Sequence, residues 1–181
     1  MRERFSGLYE AHYGHVLRYA LRRTDAEMAR DVAAETFTVA WRRMEQLPVE
    51  PLSWLYGVAR RVLANELRGQ HRRDRLSSRL ELAASAAGVP TVQPDHALEV
   101  IAFAHVHAAM AKLSPRDQEV LGLIAWEDLD IAGAATVLGC SNTACKVRLH
   151  RARRRLALML QVAPELRNDP LSRTQSPEVV V

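Results

Sequence analysis

Two clusters of cations dominate the residues of this chain that could do chemistry. From Lys146 to Arg155 there are six basic residues (Lys146, Arg148, Arg151, Arg153, Arg154, Arg155) and no acid. Between Arg60 and Arg79 seven arginines stand against two acids, Glu66 and Asp74. Guanidinium groups hold phosphate oxygens, while amides and small polar side chains reach base edges, so both clusters point towards nucleic acid. A third group is acidic. Asp31 and Glu35 lie one helical turn apart, on a polar stripe with Thr38 and Arg42. Taken alone such a pair is usually a solvated face, and the nearby Phe37 and Trp41 are more often core than contact. Cys140, Cys145 and His150 suggest zinc at first sight. Cys145 and His150, however, are five apart on one expected helix, so their side chains diverge by more than a quarter turn. Small buried cysteines are the simpler reading. With no glycine-rich phosphate loop, paired-histidine zinc helix or serine-elbow motif, the expectation is a protein that is not an enzyme and carries no cofactor or metal.

The elements that must position these groups are helical. Residues 113–160 hold three helical patterns in quick succession. Ser114, Pro115 and Asp117 supply a serine N-cap, proline at the first helical position and an acid closing a capping box. Val120, Leu121 and Ile124 give that helix its apolar side. Asp130 can cap a short helix from Ile131 to Leu138, and Gly139 supplies the permissive backbone for a sharp turn. A third helix then starts near Ser141 or Asn142 and runs to about Met159, with Cys145, Leu149 and Leu156, and Ala152 close by, as its packing side. Helix, glycine turn and longer basic helix make a helix-turn-helix. In that frame Asn142, Thr143, Lys146 and Val147 face base edges, and Arg148, Arg151 and Arg153 suit phosphates.

The first half reads as three helices. Phe5, Leu8, Tyr9, His12, Val16, Tyr19 and Ala20 recur at three- and four-residue spacing across 3–23. Thr24 and Glu27 form a second capping box for a helix to about Gln46, whose apolar side carries Ala29, Ala33, Phe37, Trp41 and Met44. Pro48 and Pro51 interrupt the chain, and a third helix follows from Leu52 to Arg68, ended by Gly69. Trp54, Arg61, Asn65 and Arg68 share one side of it. An aromatic beside arginines and an amide suits a melted strand; an arginine-rich helix end complementing its own dipole accounts for the cations equally well.

From Leu80 to Ala111 there is no lysine or arginine. Gly88, Pro90 and Pro94 mark a flexible linker, after which a helix starting near Asp95 is expected to carry Ala97, Ile101, Ala104 and Ala108 inward. His105 and His107, two apart, face different ways on that helix. The tail after Pro164 lacks periodicity and is expected to be disordered. The fold class expected is all-α: two small helical domains joined by a flexible linker, with boundaries at 1–75, 76–95, 96–160 and 161–181 (the tail).

Composition narrows the setting. Hydrophobic residues make up 48% of the 181, enough for helical cores, and the net charge of +4 is modest, so charge distribution matters more than its total. No 18-residue apolar run occurs, and MRERFSGLYE does not resemble a signal peptide, so a cytoplasmic protein is expected. In that compartment the two cysteines are expected to remain thiols.

The order of elements resembles the extracytoplasmic-function (ECF) sigma factors of bacterial RNA polymerase, over about residues 5–75 and 97–158. DVAAETFTVAWRR is similar to the family's core-binding segment, and LSWLYGVARRVLANELRGQHRR to its segment for the promoter −10 element. LSPRDQEVL followed by LGCSNTACKVRLHRARRRL resembles region 4, which reads the −35 element. The resemblance implies that Asp31, Glu35, Phe37, Thr38 and Arg42 lie at or near the contact with the polymerase beta-prime subunit. It implies that Trp54, Arg60, Arg61, Asn65 and Arg68 handle −10 DNA as it melts, with a loop around Gln46 to Pro51 holding a flipped-out base. It implies that Asn142, Thr143, Lys146, Val147, Arg148, Arg151 and Arg153 meet −35 DNA, and that region 4 touches the beta subunit. The partners implied are core RNA polymerase, promoter DNA and an anti-sigma protein. Ala132 and Gly133 stand where the family usually has acids, and Gly133 costs its helix about 1 kcal/mol relative to alanine. Ser141, Thr143, Ala144 and Cys145 replace the more usual proline, glycine, threonine and valine. Two other readings have distinct signatures. A stand-alone helix-turn-helix regulator of duplex DNA calls for a dimer surface, and no coiled-coil heptads occur. A zinc-dependent enzyme or redox switch at Cys140 and Cys145 calls for bound metal or thiol-dependent activity.

Overall fold

The computed structural model describes residues 1–77 and 105–161. Among them the chain is helical: α1 (Arg2–Leu21), α2 (Ala26–Arg42), a 3-10 turn (Met44–Gln46) and α3 (Leu52–Ser77), then α4 (residues 105–111), α5 (Pro115–Ala125), α6 (Ile131–Leu138) and α7 (Asn142–Gln161). The linker expected beyond residue 77, the helix start near Asp95 and the tail after 161 lie outside the described residues.

In the first unit α2 packs against both α1 and α3. Val16, Tyr19 and Ala20 of α1 meet Ala29, Val32, Ala33 and Phe37 of α2 and Leu55, Ala59 and Leu63 of α3 in a core with almost no solvent access. The expected cap of α2 shifts by one residue. Asp25, not Thr24, is the N-cap, and its Oδ1 accepts from the backbone N–H of Glu27 and Met28. The Thr24 hydroxyl instead donates to Met28 Sδ at 3.0 Å. An ionised carboxylate is the stronger acceptor for a helix N-terminus, which explains the preference. The α-helix ends at Arg42 and its continuation to Gln46 is the 3-10 turn, in which Met44 is buried. Gly69 does not end α3, which runs eight residues further to Ser77. One interior glycine costs about 1 kcal/mol against alanine, too little to stop a helix with no proline after it.

In the second unit the local signals hold closely. Ser114 caps α5, its Oγ accepting from the Asp117 N–H at 3.2 Å, with Pro115 in the first turn. Asp130 Oδ1 accepts from the Gly133 N–H at 2.7 Å to open α6. Gly139 closes it at φ 65°, ψ 41°, a left-handed conformation that costs little only for glycine. Ser141 Oγ then accepts from the Ala144 N–H as α7 begins. Val120, Leu121 and Leu123 of α5, Ala134, Ala135 and Val137 of α6, and Cys145, Leu149 and Ala152 of α7 form the core. At the end of α4 it is Ala109 and Met110 that are buried, whereas Ala108, expected to point inward, is exposed.

The two units touch. α6 lies along α3, and an added methyl at Gly57 would sit 3.7 Å from Val137 Cα.

Candidate nucleic-acid interface

Burying Cys145, Leu149 and Ala152 leaves the opposite side of α7 to solvent. Asn142, Thr143, Lys146, Val147, Arg151 and Arg153 are exposed there and Arg148 is half-buried. Because α5 packs on α7, a groove of about 610 Å³ opens between them. Thr143, Val147, Arg148 and Arg151 line it, while Asn142, Lys146 and Arg153 lie outside. Two further cations line it that were not among the expected DNA contacts, Arg116 and Arg155. Arg155 Nη1 donates to Asp117 Oδ2 at 2.6 Å, and the Ser114 hydroxyl donates to the same oxygen at 2.8 Å. The buried Asp117 thus serves as the partner that holds Arg155 at the groove edge, not only as a helix-cap acid. The surplus of arginine in the first cluster was a signal for Arg155. Arg116 gave none, since only the α5–α7 packing brings it to the groove.

On the first unit, Asp31, Glu35 and Arg42 are exposed along α2 and Thr38 is half-buried, its hydroxyl donating to the Ala34 carbonyl at 2.9 Å. Phe37 is buried, in edge-on contact with Phe5 and Tyr9, so it supports this face from beneath. Trp41, expected in the core, is 38% exposed and stands edge-on to Phe5 with ring centroids 5.0 Å apart. Arg61, Asn65 and Arg68 are exposed along α3, and Asn65 Oδ1 accepts from Arg68. Trp54 is half-buried against the core. Asp31, Glu35 and Thr38 of α2 share one groove of about 650 Å³ with Arg61 and Asn65 of α3. The acidic stripe and the cationic helix, read separately along the sequence, are therefore walls of one feature. Arg60 points elsewhere, with its Nε 4.0 Å from Glu119 Oε1 in the second unit. Between α2 and α3, Val49 is fully exposed at the tip of the Leu47–Pro51 loop.

Burial pushes the Cys145 thiol above its usual range, with the Cys140 thiol adding to the effect. Raised pKa and burial make it a packing residue and a poor nucleophile. Among the described residues no three His, Cys, Asp or Glu side chains converge as a metal site would require. Nor is any described helix long and apolar enough to cross a membrane.

Comparison with known proteins agrees with this arrangement. Residues 8–73 match the family described as Sigma-70 region 2, and residues 104–156 that described as Sigma-70, region 4. The chain is 33% identical over 159 residues to the ECF RNA polymerase sigma factor SigL of Mycobacterium tuberculosis, covering 85% of this chain and 87% of that one. It is 30% identical over 179 residues to the RNA polymerase sigma factor CnrH of Cupriavidus metallidurans, covering 90% of each. In fold it is similar to the sigma factor RpoE of Bartonella quintana, solved with the anti-sigma factor NepR, at TM-score 0.65 and 22% identity over 88% of this chain and 98% of that one. It is also similar to CnrH solved with the cytosolic domain of CnrY, at TM-score 0.58 and 23% identity over 90% and 91%. With a region 2 helical unit followed by a region 4 helix-turn-helix, the chain belongs to the ECF sigma factors, which bind core RNA polymerase, recognise −35 and −10 promoter elements and promote DNA melting.

Proposed function

We propose how this sigma factor divides its work among residues. Asp31, Glu35, Thr38 and Arg42 form the surface for the beta-prime subunit, with Phe37 holding α2 in place behind it. Arg61, Asn65 and Arg68 meet the −10 strand as it separates, with Trp54 offering the edge of a ring and Arg60 joining once it leaves Glu119. Asn142, Thr143, Lys146 and Val147 face base edges of the −35 duplex, and Arg148, Arg151 and Arg153 take phosphates. Working boundaries of 1–75 and 96–160 accommodate both units. Promoter opening is then driven by binding energy, and the phosphodiester chemistry stays with the polymerase, in the cytoplasm where polymerase and chromosome meet. The solved relatives bound to NepR and CnrY support an anti-sigma partner for this chain as well.

One observation carries this reading: the acidic stripe of α2 and the cations of α3 line the same groove. A strand held on α3 would therefore lie beside whatever α2 binds, as coupling of polymerase docking to melting requires. In vitro transcription tests it, with core polymerase of the source organism and fragmented genomic DNA, with and without the chain. Discrete transcripts that need the chain, and disappear on Asp31→Arg with Glu35→Arg, are expected. Duplex binding by the chain alone, without polymerase association, would favour a stand-alone regulator instead. Copurification from native cells with no stoichiometric protein other than polymerase would count against an anti-sigma partner.

A further inference from the structure

The chain has only two cysteines in 181 residues, and both stand where α6 turns into α7. Ser141 opens α7: its Oγ accepts from the Ala144 N–H at 3.2 Å and its carbonyl from the Cys145 N–H at 2.9 Å. Cys140 is therefore the residue just before the cap, and Cys145 the fourth residue of the helix. Side chains at those two positions meet as a hydrophobic staple at a helix start. Here the staple is made of two thiols. Cys145 is fully buried in the core, and the half-buried Cys140 packs against it, close enough for the thiols to hydrogen-bond. Valine, the more usual residue at 145, would complete the packing as well, so packing alone does not call for sulfur on both sides. Each thiol is also fastened to its own helix. The Cys140 N–H donates to the Ala135 carbonyl at 3.0 Å and the Gly139 N–H to the Thr136 carbonyl at 3.2 Å, which ties Cys140 to the end of α6. Cys145 is tied to α7 by its bond to Ser141 and by its buried side chain.

We propose that Cys140 and Cys145 are a peroxide-oxidised thiol pair, whose disulfide displaces the first turn of α7 and weakens binding of −35 DNA. The inference rests on the proposed function only for the DNA that is lost. Cys140, the thiol with solvent access, attacks a hydroperoxide; the O–O bond breaks, Cys140 becomes a sulfenic acid, and an alcohol, or water from hydrogen peroxide, leaves. The Cys145 sulfur then displaces hydroxide from Cys140, which departs with the Cys145 proton as water and leaves the S–S bond. The two thiols lose two electrons and the peroxide gains them. Cys145 is a poor nucleophile towards a dissolved reagent, but a partner held beside it acts at high effective concentration. A disulfide requires sulfurs about 2.05 Å apart and a dihedral of roughly 90°, much closer than two thiols in hydrogen-bond contact. With Cys140 tied to α6 and Cys145 to α7, closing that gap shifts one helix against the other. Thr143 and Lys146 flank Cys145 in the turns set to face bases, and Ser141 and Thr143 line the α5–α7 groove. The strain therefore falls on the DNA-facing end of the helix.

Full-length protein exposed to hydrogen peroxide tests the pair, alongside Cys140→Ser and Cys145→Val, the second of which keeps an apolar side chain in the core. In the wild type, peroxide should abolish both free thiols and lower the intact mass of the monomer by two hydrogens, with dithiothreitol restoring both. Hydrogen exchange at the Ala144 and Cys145 N–H groups should quicken on oxidation, and affinity for a −35 duplex should fall several-fold. Both variants should bind the duplex as the reduced wild type does and keep that affinity through the same exposure. Thiols that survive peroxide, or that yield only higher acids or bridged dimers, would overturn the proposal. So would a disulfide that leaves exchange and duplex affinity unchanged, or a variant that still loses affinity. A reduced chain that ignores the −35 duplex would defeat the DNA assignment instead, and mass and exchange would still decide whether the disulfide forms and moves α7.

Discussion

Arg148 and Arg151 both border the groove between α5 and α7, so they serve as a probe of what that groove holds. Replacing either with alanine should weaken −35 duplex binding without altering base preference. The slope of log K against log salt should become shallower by about 0.9 for each phosphate no longer neutralised, as titrations at several salt concentrations would show. A changed consensus with an unchanged slope would mean that these arginines read bases. Asp31 and Glu35 make the opposite kind of probe, because they are exposed and bear no part of the core. Reversing both to arginine should abolish polymerase binding in a pull-down while changing unfolding free energy by no more than about 0.5 kcal/mol per site. Loss of stability along with binding would mean that the acids serve the fold.

Short elements here are set by their ends. α6 is only eight residues long, opened by Asp130 and closed by Gly139, and it positions α7 through that turn. Gly139→Ala forces an alanine into a left-handed conformation and should cost about 1–2 kcal/mol of stability in urea unfolding, although open space surrounds the site. Promoter binding should weaken with it as the turn between α6 and α7 shifts. A stability change well under the roughly 1 kcal/mol expected for a left-handed alanine would show that the turn relaxes freely. Such ends were legible in advance because a cap or a left-handed glycine acts over three or four residues. The start of α2 shows the limit, since Thr24 and Asp25 both suit a cap and the stronger acceptor took it.

Across the whole molecule, the interface between units is a titratable structure. Burial, and after it the Glu127 carboxylate, push the Tyr56 hydroxyl up to about 12, and burial raises Tyr19 as well. Both groups favour the protonated form in the folded chain, where the two units touch. Their contribution is complete below the unperturbed value near 10 and, for Tyr56, is lost as pH rises through about 12. Scattering from about pH 9 upwards, past the ordinary tyrosine value, should therefore show expansion at the alkaline end, and Tyr56→Phe should shift its onset. Expansion with the same midpoint in Tyr56→Phe would place the titrating group elsewhere.

The sequence alone determined the helical class, the two cationic helices, the caps of α5 and α6 and the packing side of α7. Each of these follows from periodicity or from contacts a few residues apart. Tertiary structure decided what depends on partners distant in the chain. Phe37 and Trp41 looked alike as core residues, yet the packing of α1 on α2 buries one and leaves the other at the surface. Arg116 and Arg155 acquired a groove, and Asp31 acquired Arg61 and Asn65 as neighbours, only through the packing of one helix on another. Glu119 and Glu127 belong to no pattern in the sequence, and their pairing with Arg22 and Arg23 of the other unit arises only in the folded chain. Nothing local marks a charge that will be buried, because its compensation arrives from roughly a hundred residues away.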